Sequence, residues 1–139
     1  PGMPLRPLSK VASGGELSRI SLALQVALTG GKSVSTLIFD EVDSGIGGGV
    51  AEVVGQKLRQ LGDAIQVLSV THLPQVAALG HQHLKVAKAT VDAQTRTEVQ
   101  VLDPEQRVDE IARMLGGVVM TAQTLAHARE MLDRGAGAA

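Results

Sequence analysis

Apolar positions along the chain follow two patterns. From residue 16 onward, Leu17, Ile20, Leu24 and Leu28 recur at three- and four-residue spacing. That spacing predicts a helix over Glu16–Thr29 with one strong apolar face. Leu22 and Val26 lie on another side, so the helix is expected to be broadly buried, and Gly30-Gly31 ends it. Thr36-Leu37-Ile38-Phe39 is a short continuous apolar run, the signature of a strand covered on both faces. A Gly-rich loop at Gly45–Gly49, a helix over Val50–Leu61 and a second buried strand over Ile65–Val70 follow. Thr71-His72-Leu73-Pro74 reads as a turn, with Pro74 suited to the first position of a short helix.

Beyond that turn the period changes. Leu84 and Val86, then Val99 and Val101, alternate with polar residues, and polar Thr90–Thr95 separates them. His83–Ala89 and Arg96–Leu102 are therefore expected to form an antiparallel hairpin. Asp103-Pro104 breaks it, and helices are expected over Glu105–Leu115 and Thr121–Leu132. The fold class is α/β: parallel strands with flanking helices, plus an antiparallel hairpin. Residues 1–8 hold three prolines and read as an extended lead-in; 9–133 read as one lobe and 134–139 as a flexible tail.

Composition narrows the function classes. Apolar residues are 44% of the 139, so a packed core is expected and global disorder is not. Aromatics are 1%, which disfavours the base-stacking mode of single-strand binding. With no cysteine, disulfides, thiolate metal sites and thiol catalysis drop out, and a reducing cytoplasm is compatible. No apolar run reaches the length of a membrane span, and Pro1-Gly2-Met3-Pro4 opens no signal peptide. A net charge of −1 gives no basic footprint for nucleic acid on this stretch itself.

Three places carry chemistry. Ser13-Gly14-Gly15-Glu16 opens the first helix. Ser13 as N-cap with Glu16 three positions on is a capping box, which explains the end residues but not the glycines. Glycines there let an anion approach the first backbone amides. Next, Phe39-Asp40-Glu41-Val42-Asp43 places carboxylates at the C-terminal end of a buried strand, where open α/β sheets bind ligands. Side chains of neighbouring strand residues point to opposite sides, so Asp40 and Glu41 would do different work. One could hold Mg²⁺ and the other orient or deprotonate a water; the plain alternative is a solvated acidic loop. Third, His72 follows the second strand, on the edge where the first strand's acids end.

Other signals fail on spacing. Gly31-Lys32-Ser33 lacks the earlier glycine of a phosphate-binding loop, since Val26 stands there. Gly45-Ile46-Gly47-Gly48-Gly49 has Val50 where a dinucleotide fingerprint needs its third glycine. His81, His83 and His127 form no metal set by local spacing.

The order of the three signals resembles the C-terminal lobe of an ABC-type ATPase head. Ser13–Glu16 matches the signature motif, Leu37–Glu41 the Walker B strand, Val42–Gly45 the D-loop and His72 the switch histidine. Ala12 departs from the Leu of transporters and Glu16 from their Gln; Glu is usual in the SMC-like branch. Within that branch, Ala12–Arg19, Phe39–Gly48 and Thr71–Ala77 are similar to the RecN family of bacterial DNA-repair proteins. So are His83–Lys88 and Glu110–Gly117.

The resemblance implies a split ATP site. Asp40 would support Mg²⁺, Glu41 would act as base on the hydrolytic water, and His72 would contact the γ-phosphate or that water. Ser13, Gly14, Gly15 and Glu16 would meet ATP held by a second head of a homodimer. Asp43 would lie in the D-loop and communicate across that dimer. Walker A would belong to an N-terminal lobe of the same protein, DNA would be engaged through the full-length protein in the cytoplasm, and this stretch alone would be inactive. Two other classes remain open from the residues: a Mg²⁺-dependent phosphoryl or phosphodiester hydrolase using Asp40, Glu41 and Asp43, and a non-catalytic interaction module.

Overall fold

A computed structural model describes residues 12–28, 34–91, 94–116 and 120–137. The chain divides into two compact units between Val76 and Ala77, within the span that the sequence reads as one lobe.

The first unit begins with helix α1 (Gly14–Ala27). It starts two residues before the expected Glu16, because Ser13 caps it and both glycines sit in the first turn. Strand β1 (Thr36–Phe39) leads to helix α2 (Gly48–Gly62), and the chain returns along β2 (Gln66–Ser69). The strands pair in parallel, Ile38 opposite Leu68 and Phe39 opposite Ser69. Ala51, Val54, Leu58 and Leu61 line one face of α2 at helical spacing and are buried with Leu22, Phe39, Val42 and Val76. Leu37, Val67 and Val26 pack against this cluster. Fully burying one such side chain stabilises by about 1.5–3 kcal/mol.

Burial departs from expectation in two places, and both leave apolar surface open. The stripe Leu17, Ile20, Leu24 and Leu28 faces outward, from 41% to 67% exposed, while Leu22 and Val26 make the inward side of α1. The strands are covered on one face only among the described residues: Ile38 is 70% exposed and Val70 61%. Residues on one side of a strand lie two apart, so Leu37, Phe39 and Val67 face the core while Ile38 and Leu68 face away. The strong periodic signal on α1 thus belongs to a surface that the described residues do not cover.

Helix α3 (Pro74–Ala77), opened by Pro74, carries the chain into the second unit. Strands β3 (Leu84–Val91) and β4 (Gln94–Val101) form the expected antiparallel hairpin, with Leu84 opposite Val101 and Val86 opposite Val99. Asp103 then caps helix α4 (Pro104–Met114) through a capping box with Gln106, and Pro104 stands in its first turn. Thr121 caps helix α5 (Ala122–Ala136). Val108, Ile111 and Ala112 pack with Ala77, Ala78, Ala128 and Met131. Helix α5 continues past Leu132 through Arg134, Gly135 and Ala136, so that part of the expected flexible tail is helical. Gly135 explains this: it is buried, and a Cβ there would stand 2.6 Å from the Ala78 carbonyl oxygen. Lys85 of the hairpin and Arg113 of α4 close on Glu110, at 2.6 and 2.5 Å.

Candidate functional site

The loop after β1 gathers the residues that the sequence singles out. Asp40 and Glu41 are exposed at the strand end, whereas Val42 and Asp43 are buried. Glu41 has φ +56°, a left-handed conformation that non-glycine residues adopt rarely. This turn interrupts the strand alternation and explains why both acids reach the surface. Asp40 Oδ1 accepts the Glu41 amide at 2.9 Å, and the Ser44 amide donates to the Glu41 carbonyl at 3.0 Å.

Helix α1 packs its first turn onto this loop. The space above Gly14 is taken by the Glu41 carboxylate: a Cβ at Gly14 would stand 2.6 Å from Glu41 Oε2. Gly15 is buried, and a Cβ there would be 2.9 Å from the Glu41 carbonyl oxygen and 2.9 Å from Ser44 Cβ. The glycines therefore have different work. Gly15 lets two backbones approach, while Gly14 faces the end of an acid side chain.

The capping box at this helix start is complete. Glu16 Oε2 accepts the Ser13 amide at 2.7 Å, and the Glu16 amide donates to Ser13 Oγ at 3.3 Å. The Ser13 backbone bond, then its hydroxyl, holds the Glu16 carboxyl below the usual glutamate value. Both residues remain exposed, and the first-turn amides of a helix have no intrahelical acceptors.

Two further ties have no counterpart in the motif reading. Ser18 Oγ donates to the Asp40 carbonyl at 2.9 Å. The Arg19 guanidinium donates to the Val42 and Ser44 carbonyls at 3.3 and 2.8 Å. Both residues lie one turn along α1 from the glycines, so helical spacing alone would have aimed them at whatever the glycines touch.

His72 is brought to Asp43. Its Nδ1 stands 3.3 Å from Asp43 Oδ2, and its backbone amide donates to the same oxygen at 3.0 Å. Thr71 Oγ1 donates to that oxygen too, at 2.5 Å. The Asp43 side chain is 3% exposed and the His72 side chain 72%. Asp43 therefore does not stand beside Asp40 and Glu41 as a third surface carboxylate. Among the described residues no group of three or more His, Asp or Glu is placed to hold a metal ion. A lone exposed Asp40 carboxylate does fit Mg²⁺ that is held by one or two carboxylates together with substrate phosphates.

The other titratable groups belong to the second unit. Burial pushes the His83 imidazole down, with Arg107 adding to it. Arg113, with Lys85, holds the Glu110 carboxyl at about 2, through ion pairs that join α4 and β3. Among the described residues, no helix is long and apolar enough to cross a membrane.

Comparison with known proteins gives close relatives. The chain is 57% identical over 133 residues to the DNA repair protein RecN of Xylella fastidiosa (strain 9a5c), covering 96% of this chain and 24% of that protein. RecN of Vibrio cholerae is 58% identical over 132 residues, with 95% and 24% covered. RecN of Bacillus subtilis is 47% identical over 133 residues, with 96% and 23% covered. The chain thus spans about a quarter of the length of the curated relatives it matches. No family model matches. A solved structure from work on ATP-driven dimerization and DNA-stimulated activation of SMC ATPases superposes with a TM-score of 0.55. Its 18% identity, over 84% of this chain and 69% of that one, establishes likeness of fold.

Proposed function

Because the chain belongs to the RecN family and has the α/β fold of an SMC ATPase, we propose that it is the C-terminal half of the ATP-binding and hydrolysing head of a DNA-repair protein. The observation that carries this reading is the joining of helix start and strand end. Ser18 and Arg19 tie the helix that begins at Gly14-Gly15 to the loop bearing Asp40 and Glu41. A phosphate-facing helix and a strand-end acid pair then move as one body.

In this reading Asp40 holds Mg²⁺ together with the nucleotide phosphates, and Mg²⁺ supplies charge neutralisation on those phosphates. Glu41 accepts a proton from the attacking water, the work of a general base. His72 reaches the γ-phosphate region from the neighbouring strand end. Ser13, Gly14, Gly15 and Glu16 present the helix N-terminus to ATP held by a second copy of the head. DNA repair, as named for the relatives, is the work of the whole protein, in which ATP-dependent pairing of heads would couple nucleotide state to DNA.

The Walker A lobe is assigned to the remainder of the full-length protein. The open faces of α1 and of the β1–β2 pair support this, since Leu24, Leu28, Ile38 and Val70 are each more than half exposed. Exposed apolar side chains grouped on an element's face are the kind of surface that interfaces use.

The test is turnover. This 139-residue chain alone should hydrolyse no ATP, and the full-length protein should. Glu41→Gln in the full-length protein should retain ATP binding and lower kcat by about 10²–10⁴-fold, the range for removal of a general base. Normal ATP hydrolysis by the chain alone would refute the split site.

A further inference from the structure

We infer that Asp43 is a positioning residue: it holds the His72 imidazole with the proton on Nδ1 and turns Nε2 outward to accept a hydrogen bond. The catalytic part of this inference rests on the ATPase reading above; the structural part does not. Asp43 Oδ2 receives the Thr71 hydroxyl and the His72 backbone amide, so it acts as an acceptor toward that turn. His72 Nδ1 faces the same oxygen at 3.3 Å. A neutral imidazole carries its proton on one nitrogen only. Were Nδ1 bare, its lone pair would point at an oxygen that is already an acceptor. A proton on Nδ1 converts that repulsion into a third donated bond.

The consequence falls on the other nitrogen. The imidazole is 72% exposed while the carboxylate that grips it is 3% exposed. The ring thus turns Nδ1 toward the buried carboxylate and leaves most of its surface to solvent. With Nδ1 protonated, neutral His72 offers a lone pair at Nε2. It is therefore set to accept a hydrogen bond from a water rather than to donate one to a phosphate oxygen. The hydrogen bond at one ring nitrogen decides what the other can do. Asp43 then acts through His72 and touches neither nucleotide nor metal itself.

Thr71 completes the device. Its hydroxyl donates to Asp43 and accepts the Leu73 amide at 3.0 Å, which closes the turn around the carboxylate. The turn that ends β2 is in this way built on a side chain from the loop that ends β1.

The experiment uses full-length protein labelled with ¹³C and ¹⁵N at histidine only, with His72 assigned by its disappearance in His72→Gln. Solid-state spectra are recorded over a pH series, and the tautomer is read where one ring nitrogen of His72 is bare. The nitrogen correlated with Cγ is Nδ1. The expected result is a protonated Nδ1 and a bare Nε2 on His72, reversing in Asp43→Ala. A bare Nδ1 in the unsubstituted protein overturns the inference, as does an unchanged pattern in a folded Asp43→Ala variant. If Asp43→Ala does not fold, the unsubstituted spectrum decides alone. Kinetics then test the catalytic part: Asp43→Asn should lower kcat about tenfold or more, with KM for ATP within about twofold. An unchanged kcat overturns that part. A full-length protein with no ATPase activity would sink the functional reading and leave the spectral result standing.

Discussion

The two units of the chain both bury a carboxylate, and they use it in opposite ways. In the second unit, Glu110 is closed by Lys85 of β3 and Arg113 of α4, charge against charge. In the first, Asp43 is closed by a hydroxyl, a backbone amide and an imidazole, and the imidazole remains largely in solvent. The first pairs a buried acid with two bases that remain partly in solvent, Lys85 38% and Arg113 60% exposed, and that pairing accounts for its perturbed titration. The second leads outward to a group that can meet a ligand. A perturbed pKa is as readily the mark of a structural ion-pair cluster as of a functional site.

The largest effect expected from this contrast is the acid response of the second unit. The Arg113 guanidinium, with Lys85, holds the Glu110 carboxyl at about 2, well below the usual glutamate value. A lowered carboxyl stabilises the fold above its unfolded value, and that stability is lost as pH falls from about 4.5 toward 2. The full span corresponds to about 3 kcal/mol. Thermal unfolding of the chain followed from pH 6 downward should show this loss, and Glu110→Gln should flatten it. An identical acid slope in both proteins would mean that the cluster contributes nothing.

How much of this was legible before the structure depends on which force fixed each feature. Elements whose cues are local emerged well: the Ser13–Glu16 box, the apolar strand Thr36–Phe39 and the antiparallel pairing of β3 with β4 all form. The candidate residues Ser13, Asp40, Glu41 and His72 stand out in the sequence because each sits at an element boundary. The inward side of α1 was misjudged, because periodicity reports that a face is apolar and says nothing of which partner covers it. The roles of Ser18, Arg19 and Thr71 were illegible for a related reason. Each depends on a hydrogen bond across more than twenty residues of sequence, or, for Thr71, on a buried carboxylate supplied by another loop. The helical end of the chain was hidden by Gly135, a residue that reads as a helix breaker until the Ala78 backbone is seen against it.

A smaller effect separates Gly14 from Gly15 within the first unit. At Gly15 a methyl group would press on the Glu41 carbonyl and Ser44, which belong to a tied loop. Gly15→Ala should therefore destabilise the chain by about 1–3 kcal/mol, the usual cost of overpacking. At Gly14 the methyl would meet only the end of the Glu41 side chain, which can swing away. Gly14→Ala should leave stability within about 0.5 kcal/mol and, if the proposed reading holds, should impair ATP turnover in the full-length protein by blocking phosphate from that amide. Denaturant unfolding of both variants, with turnover measured beside it, checks the split. Equal destabilisation by both would erase the distinction between a packing glycine and a ligand-facing one.

The smallest effect in this chain is also the one that asks what the open faces are for. Leu24 lies in the middle of the outward stripe of α1 and is 56% exposed. Replacing an exposed leucine by glutamine removes little burial, so Leu24→Gln should change the unfolding free energy of the 139-residue chain by no more than about 0.5 kcal/mol. In the full-length protein the same substitution should cost about 1–2 kcal/mol, because a covering lobe would take the remaining leucine surface out of water. The difference between the two measurements is the quantity of interest, since α1 and its contacts within the first unit are common to both. A null effect in both proteins would mean that the stripe faces solvent in the parent as well. The apolar face would then lose its place as support for a lobe packed there, although the hydrogen-bonded joining of α1 to the acid loop would stand.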